Sequence, residues 1–194
     1  MKVLQEIEGM DICLLDQIMK GIFNENQKIL DAGCGTGRNL KFFLKNQFNC
    51  AGIDPREDVI TELKLIFPEN KGQFFNSTIE DFQDPEGYDA IICNAVLHFA
   101  KDHDHFDLMF NNLVDLLQSN GILFIRMTSD IGLNLNRSSE DGVYELPDQT
   151  SRYLITERKI SDLLNKYSIE LKEPIKTVNV NNLRFMTTLV MTKL

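Results

Sequence analysis

The sequence has no tryptophan, only 5 prolines, and no C-x-x-C pair among its 4 cysteines. With so little proline, and no repeat or low-complexity stretch, nothing marks a linker, so residues 1–194 are expected to form a single domain around one core. Cys13, Cys34, Cys50 and Cys93 are scattered, and three of them sit among apolar residues. That pattern excludes a disulfide framework and predicts reduced, mostly buried thiols in a cytoplasmic protein. Long apolar runs are missing too. The first residues, MKVLQEIEGMD, are broken early by acids, and no stretch reaches membrane-spanning length, which argues against a signal peptide or a membrane anchor. Basic residues are the scarcer charge: 20 Lys+Arg against 29 Asp+Glu give a net charge of −9. A field of that sign repels phosphate backbones and anionic lipid, so general nucleic-acid and membrane-surface binding are both disfavoured. Nothing in the sequence sets the oligomeric state.

What is present is an alternation of strand and helix. A helical stripe of Leu14, Leu15, Ile18, Met19 and Ile22 leads the chain. KILDA (28–32), FNCAGID (48–54), GQFFN (72–76), YDAIICN (88–94) and GILFIRM (121–127) read as strands. The last two are apolar without alternation, as a parallel strand buried on both faces requires. Helices are predicted at about 37–46, 57–67 and 156–167, the last capped by Thr156, with a longer one carrying Phe106, Met109, Phe110, Leu113, Leu116 and Leu117. At the end, TVNV and LRFMTTLVM flank Asn181-Asn182, a hairpin dipeptide. The order predicts a doubly wound α/β sheet closed by an antiparallel edge.

The decisive stretch is Asp31-Ala32-Gly33-Cys34-Gly35-Thr36-Gly37-Arg38, a strand running through three alternate glycines toward a helix. Such a loop lets a ligand approach the main chain closely at the carboxyl end of the first strand. A dinucleotide site of the G-x-G-x-x-G/A kind needs a small residue where Arg38 stands, and gains nothing from Asp31 beside a pyrophosphate. An acid there suits a ligand bearing a positive group. The D-x-G-x-G-x-G pattern resembles the first motif of class I S-adenosylmethionine-dependent methyltransferases, whose ligand carries an ammonium and a sulfonium.

The resemblance covers most of the chain, including a tail (LPDQTSRYLIT, NVNNLRFMTTLVM) similar to that of small bacterial members. It implies a Rossmann-like three-layer sandwich with a seven-stranded, mostly parallel sheet whose last strand is antiparallel. It also implies S-adenosylmethionine as cofactor, lying over the first strands' carboxyl ends against Asp31, Ala32, Gly33, Cys34, Gly35 and Gly37. Asp54, with Pro55 after it, ends the second strand and is either a ribose acceptor or a helix cap. Thr78, Ile79 and Glu80 would edge the adenine, Thr78 standing where many relatives carry Asp; Glu80 and Asp81 could equally form a solvated capping turn. Asn94, at the end of the fourth strand, would lie beside the methionine half and the acceptor. Arg38 either reaches the cofactor carboxylate or stays on the surface.

His98 is the candidate base, against a packed pocket-wall reading. Arg126 and Arg152, with His98, are the candidate acceptor contacts. Asp102-His103-Asp104-His105 resembles a metal cluster, but adjacent ligands at a helix start do not converge, so it reads as a cap and no metal is expected. The expected function is methyl transfer to a small-molecule acceptor that the sequence does not name, the alternative being a sensor or scaffold that only binds the cofactor. Residues 128–155 show no sustained period and are expected to form a lid over the acceptor, or else a packed appendage.

Overall fold

A computed structural model describes residues 6–133 and 139–194. The leading helix α1 (Ile12–Met19) starts where Asp11 accepts the Cys13 and Leu14 N–H groups. Strand β1 (Lys28–Ala32) leads to α2 (Leu40–Lys45), β2 (Asn49–Asp54), α3 (Glu57–Ile66) and β3 (Phe74–Asn76). Then follow β4 (Tyr88–Asn94), α4 (His103–Leu116), β5 (Leu117–Thr128), β6 (Val143–Glu145), β7 (Ser151–Tyr153), α5 (Glu157–Lys166), β8 (Ile169–Leu171), β9 (Lys176–Val180) and β10 (Arg184–Lys193).

The main sheet runs β3-β2-β1-β4-β5-β10, with β1 to β5 parallel and β10 antiparallel to β5. Among the described residues it holds eight strands rather than the expected seven. The extra one arises because β8 pairs with Met191–Lys193 and β9 with Arg184–Thr188, so two short strands share one long edge. IEL (169–171) is too short to announce itself by alternation. The predicted hairpin joins β9 to β10, with Asn181 and Asn182 both at positive φ (53° and 57°).

Apolar residues cover both faces. Ile29, Ile92, Phe124 and Val190 pack under α1, α2 and α3; Leu30, Ile91, Ile125 and Leu189 pack under α4 and α5. Each fully buried side chain of this size contributes about 1.5–3 kcal/mol. Because the chain winds outward from β1 to β3 and then returns to β4, the winding reverses between β1 and β4. Ligands in such sheets bind at the carboxyl ends flanking that reversal.

Residues 139–155 are more ordered than their sequence suggested. A small antiparallel hairpin, β6 with β7, ends on Tyr153, Leu154 and Ile155, all buried. Tyr153 stacks on Phe106 at 4.7 Å and shares a 2.8 Å hydrogen bond with His103. Leu135 and Arg137 lie outside the described residues. Among the described residues no helix is long and apolar enough to cross a membrane.

Candidate functional site

The loop after β1 is built by backbone geometry. Gly33 has φ +81°, and a Cβ there would collide with the Val96 side chain, so no other residue fits. Gly35 has φ +53° with the Arg56 guanidinium 3.7 Å from the place of a Cβ, so a side chain there would project into the ligand's space. The Gly33 and Cys34 N–H groups both donate to the Ile53 carbonyl (2.9 and 2.8 Å), fixing the loop against β2, and Gly37 N–H closes a turn on Cys34 (3.0 Å). Positive φ through Gly37 also delays the helix, which begins at Leu40 rather than Gly37. Arg38 is therefore an exposed turn residue. The Cys34 thiol is buried under the loop, and burial pushes its pKa up.

Asp54 does not cap α3, whose N-cap is Arg56. Its Oδ2 accepts the Gly35 N–H at 3.0 Å, and its Oδ1 accepts the Arg56 N–H and Nε–H, each at 3.0 Å. Burial opposes its ionisation, but these donors outweigh it and hold the carboxyl below its ordinary value. The carboxylate thus joins the glycine loop to β2 and faces the same hollow as Pro55.

Two adjoining hollows, of about 430 and 220 Å³, share Gly33, Pro55, Val96 and Phe99. The larger is completed by Gly35, Asp54, Arg56 and Ala95, the smaller by the Ser77–Glu80 segment, His105 and Met109. The fold therefore gathers Gly33, Gly35, Asp54, Pro55, Thr78, Ile79 and Glu80 around one cleft. Thr78 spends its hydroxyl locally, donating to Asp81 Oδ2 at 2.8 Å, so the capping turn is real. Glu80 instead pairs with His105 Nε2 at 3.1 Å. His105 Nδ1 accepts the Lys101 N–H, which assigns the ring proton to Nε2. Asp102 caps α4 as expected, but the run does not stay wholly outside: His103 turns to Tyr153 while His105 lines the cleft.

Beyond the cleft, at the ends of β1 and β4, lie Asp31 and Asn94. Asp31 is 1% exposed and its Oδ2 has no partner. Burial raises its pKa to about 7, only partly offset by the Arg38 charge. Both amide atoms of Asn94 are buried and unpartnered. The next residue, Ala95, sits at φ +63°, a strained turn that leads the chain over Gly33. His98 is buried against Phe99, and burial together with the Arg152 and Arg184 charges lowers its pKa to about 4, so it is neutral at pH 7. Arg152 lies over the Phe99 ring at 4.7 Å. Arg126 pairs with Asp11 at 3.0 Å.

Sequence reasoning missed Arg56, Val96, Phe99, His105 and Met109. Arg56 was within reach, two residues after Asp54 and free to fold back on it. The others come from loops and a helix face whose aim depends on packing.

Comparison with known proteins agrees with the fold. The sequence model of a family described as a methyltransferase domain matches residues 13–172. The Ubiquinone biosynthesis O-methyltransferase of Rickettsia prowazekii (strain Madrid E) is 26% identical over 188 residues, 88% of this chain and 70% of that protein. The Trans-aconitate 2-methyltransferase of Escherichia coli O7:K1 is 33% identical over 102 residues, 51% of this chain and 38% of that protein. In fold, magnesium protoporphyrin IX methyltransferase from Synechocystis PCC 6803 with bound SAM superposes with a TM-score of 0.70 over 94% of this chain and 77% of that one, at 16% identity.

Proposed function

The chain belongs to the methyltransferase domain family and uses S-adenosylmethionine, and on that premise we propose that it moves a methyl group to a small-molecule acceptor bound over β4 and β5. The observation that carries the reading is the cleft between the glycine loop, Asp54 and the 77–80 segment, with the buried Asp31, one carboxylate oxygen unpartnered among the described residues, beyond it at the end of β1. The cofactor fits this set: Asp31 answers an ammonium, Asp54 two ribose hydroxyls, and the apolar wall of Ile79, Val96 and Met109 a flat adenine. Gly35 supplies backbone to the same cleft and Glu80 a charge on its wall, while Ala32, Cys34, Gly37 and Arg38 belong to the loop outside its lining.

When bound, S-adenosylmethionine supplies a methyl on a sulfonium, open to in-line displacement. The protein's part is alignment and exclusion of water. Asn94 offers both a donor and an acceptor beside the acceptor's place. His98 is neutral at pH 7, but a pKa of about 4 makes it a weak base, so the site suits an acceptor that needs no proton removed. The 139–155 segment is taken as the cover of the acceptor side, a reading supported by Arg152 lying over the Phe99 ring. The two relatives' names, one in ubiquinone biosynthesis and one acting on trans-aconitate, support a small acceptor, as does the net charge of −9 against a nucleic acid. Four free thiols suit work in the cytoplasm.

Calorimetric titration with S-adenosylmethionine, S-adenosylhomocysteine and NAD tests the cofactor assignment. Binding of both adenosyl ligands near −8 kcal/mol, a micromolar Kd by order of magnitude, is expected. Binding of NAD with no response to either would overturn it.

A further inference from the structure

Register places a row of polar side chains on the sheet face that α1 covers. Asn94 pairs with Arg126 across β4 and β5, and Arg126 with Thr188 across β5 and β10, so the three stand side by side on one face. All are shielded: side-chain exposure of Arg126 is 13%, and Asn94 and Thr188 are 6% and 2% exposed. Each carries atoms without a partner among the described residues, namely both Asn94 amide atoms, Arg126 Nε and Thr188 Oγ1. A buried polar atom without a partner costs about 1–3 kcal/mol, so four in one row mark a place built for a ligand rather than for the apoprotein.

The occupant's chemistry is written in what Arg126 holds now. Its Nη1 grips the Asp11 carboxylate at 3.0 Å, from the start of α1. The far end of that helix is tied elsewhere, Lys20 to Glu173 at 2.7 Å and Asp16 to Lys176 at 2.8 Å. Arg184 and Arg152 add positive charge felt at His98, Arg184 being paired with Asp148 at 3.2 Å.

We propose that Arg126 receives a carboxylate of the methyl acceptor, and that Asp11 holds that place until the acceptor enters. The inference rests on the methyl-transfer reading above and names its substrate class. A ligand carboxylate would displace Asp11, use the free Nε–H for a two-pronged contact, and take further hydrogen bonds from Asn94 and Thr188. The start of α1 then swings while its far end stays tied.

The test uses protein saturated with S-adenosylhomocysteine and the probes benzoate, fumarate and citrate, each beside its uncharged amide, with binding read by calorimetry. Asp11→Asn keeps the helix cap but removes the competing charge, so at least one carboxylate should bind about tenfold tighter than to the native chain, and its amide should not. The double variant Asp11→Asn/Arg126→Gln removes both charges together, leaves no buried ion alone, and should lose carboxylate binding. Affinity for S-adenosylhomocysteine should stay within about twofold throughout. The proposal is overturned if no carboxylate binds either the native or the Asp11→Asn protein. It is also overturned if the double variant loses S-adenosylhomocysteine while keeping the carboxylates, which would assign Arg126 to the cofactor's own carboxylate. Failure of the native chain to bind S-adenosylhomocysteine would instead bring down the methyl-transfer reading beneath it.

Discussion

Asp31 makes cofactor affinity depend on pH in a way that can be calculated beforehand. In the free protein its carboxyl is buried, one oxygen has no partner, and its pKa stands near 7 instead of 3.8. A ligand ammonium needs the ionised form. The apparent association constant should therefore scale with the ionised fraction, which is about one in thirty at pH 5.5 and one half at pH 7. Affinity for S-adenosylhomocysteine should rise about 15-fold over that interval, and binding below pH 7 should release a proton, seen as a buffer-dependent calorimetric enthalpy. The folding sign runs the other way. A raised carboxyl pKa contributes stability that is complete below about pH 3.8 and is lost as pH climbs through about 7, so the free protein should melt at lower temperature across that window, and ligand should reverse the loss. Asp31→Asn should flatten both curves and weaken binding at pH 7. Any slope that survives in the variant belongs to other groups. Native affinity that stays level between pH 5.5 and 7 would refute the reasoning.

Three further outcomes are expected. Asp54→Ala should weaken S-adenosylhomocysteine binding by about 1.5–3 kcal/mol by calorimetry, because a charge-assisted pair of hydrogen bonds is lost; unchanged affinity would make Asp54 only a tie for the Gly35 loop. Gly35→Val should keep the sheet folded by circular dichroism yet lose binding, since a β-branched residue at φ +53° is strained and points into the cleft; native affinity in a folded variant counts against the site. Hydrogen exchange should be slow at the buried Tyr153–Ile155 but fast over 139–150 in the free protein, slowing only with cofactor and acceptor together. Uniform strong protection of 139–155 without ligand would mean a fixed appendage and no lid.

Taken alone, the sequence determined the order of the five helices, of the strands β1 to β5 and of the closing hairpin, but it did not announce β6, β7 or β8. YDAIICN and GILFIRM carry apolar residues without alternation, which marks them as parallel strands buried on both faces, and the three glycines after Ala32 permit backbone angles closed to other residues. Those are local properties, legible wherever they occur. It also placed Asp54 and Asn94 at strand ends, because a strand's length fixes where it stops. What it left open depended on distant partners. Whether Asp54 capped a helix or faced the hollow was decided by Arg56 folding back on it and by the Gly35 N–H. The His103 and His105 side chains diverged because Tyr153 and Glu80 arrive from different parts of the chain. Likewise the row from Asn94 to Thr188 exists only through sheet register, with Asp11 brought over it from the start of the chain. Periodicity reports which face a residue takes; it carries no information about which residue, a hundred positions away, will stand beside it.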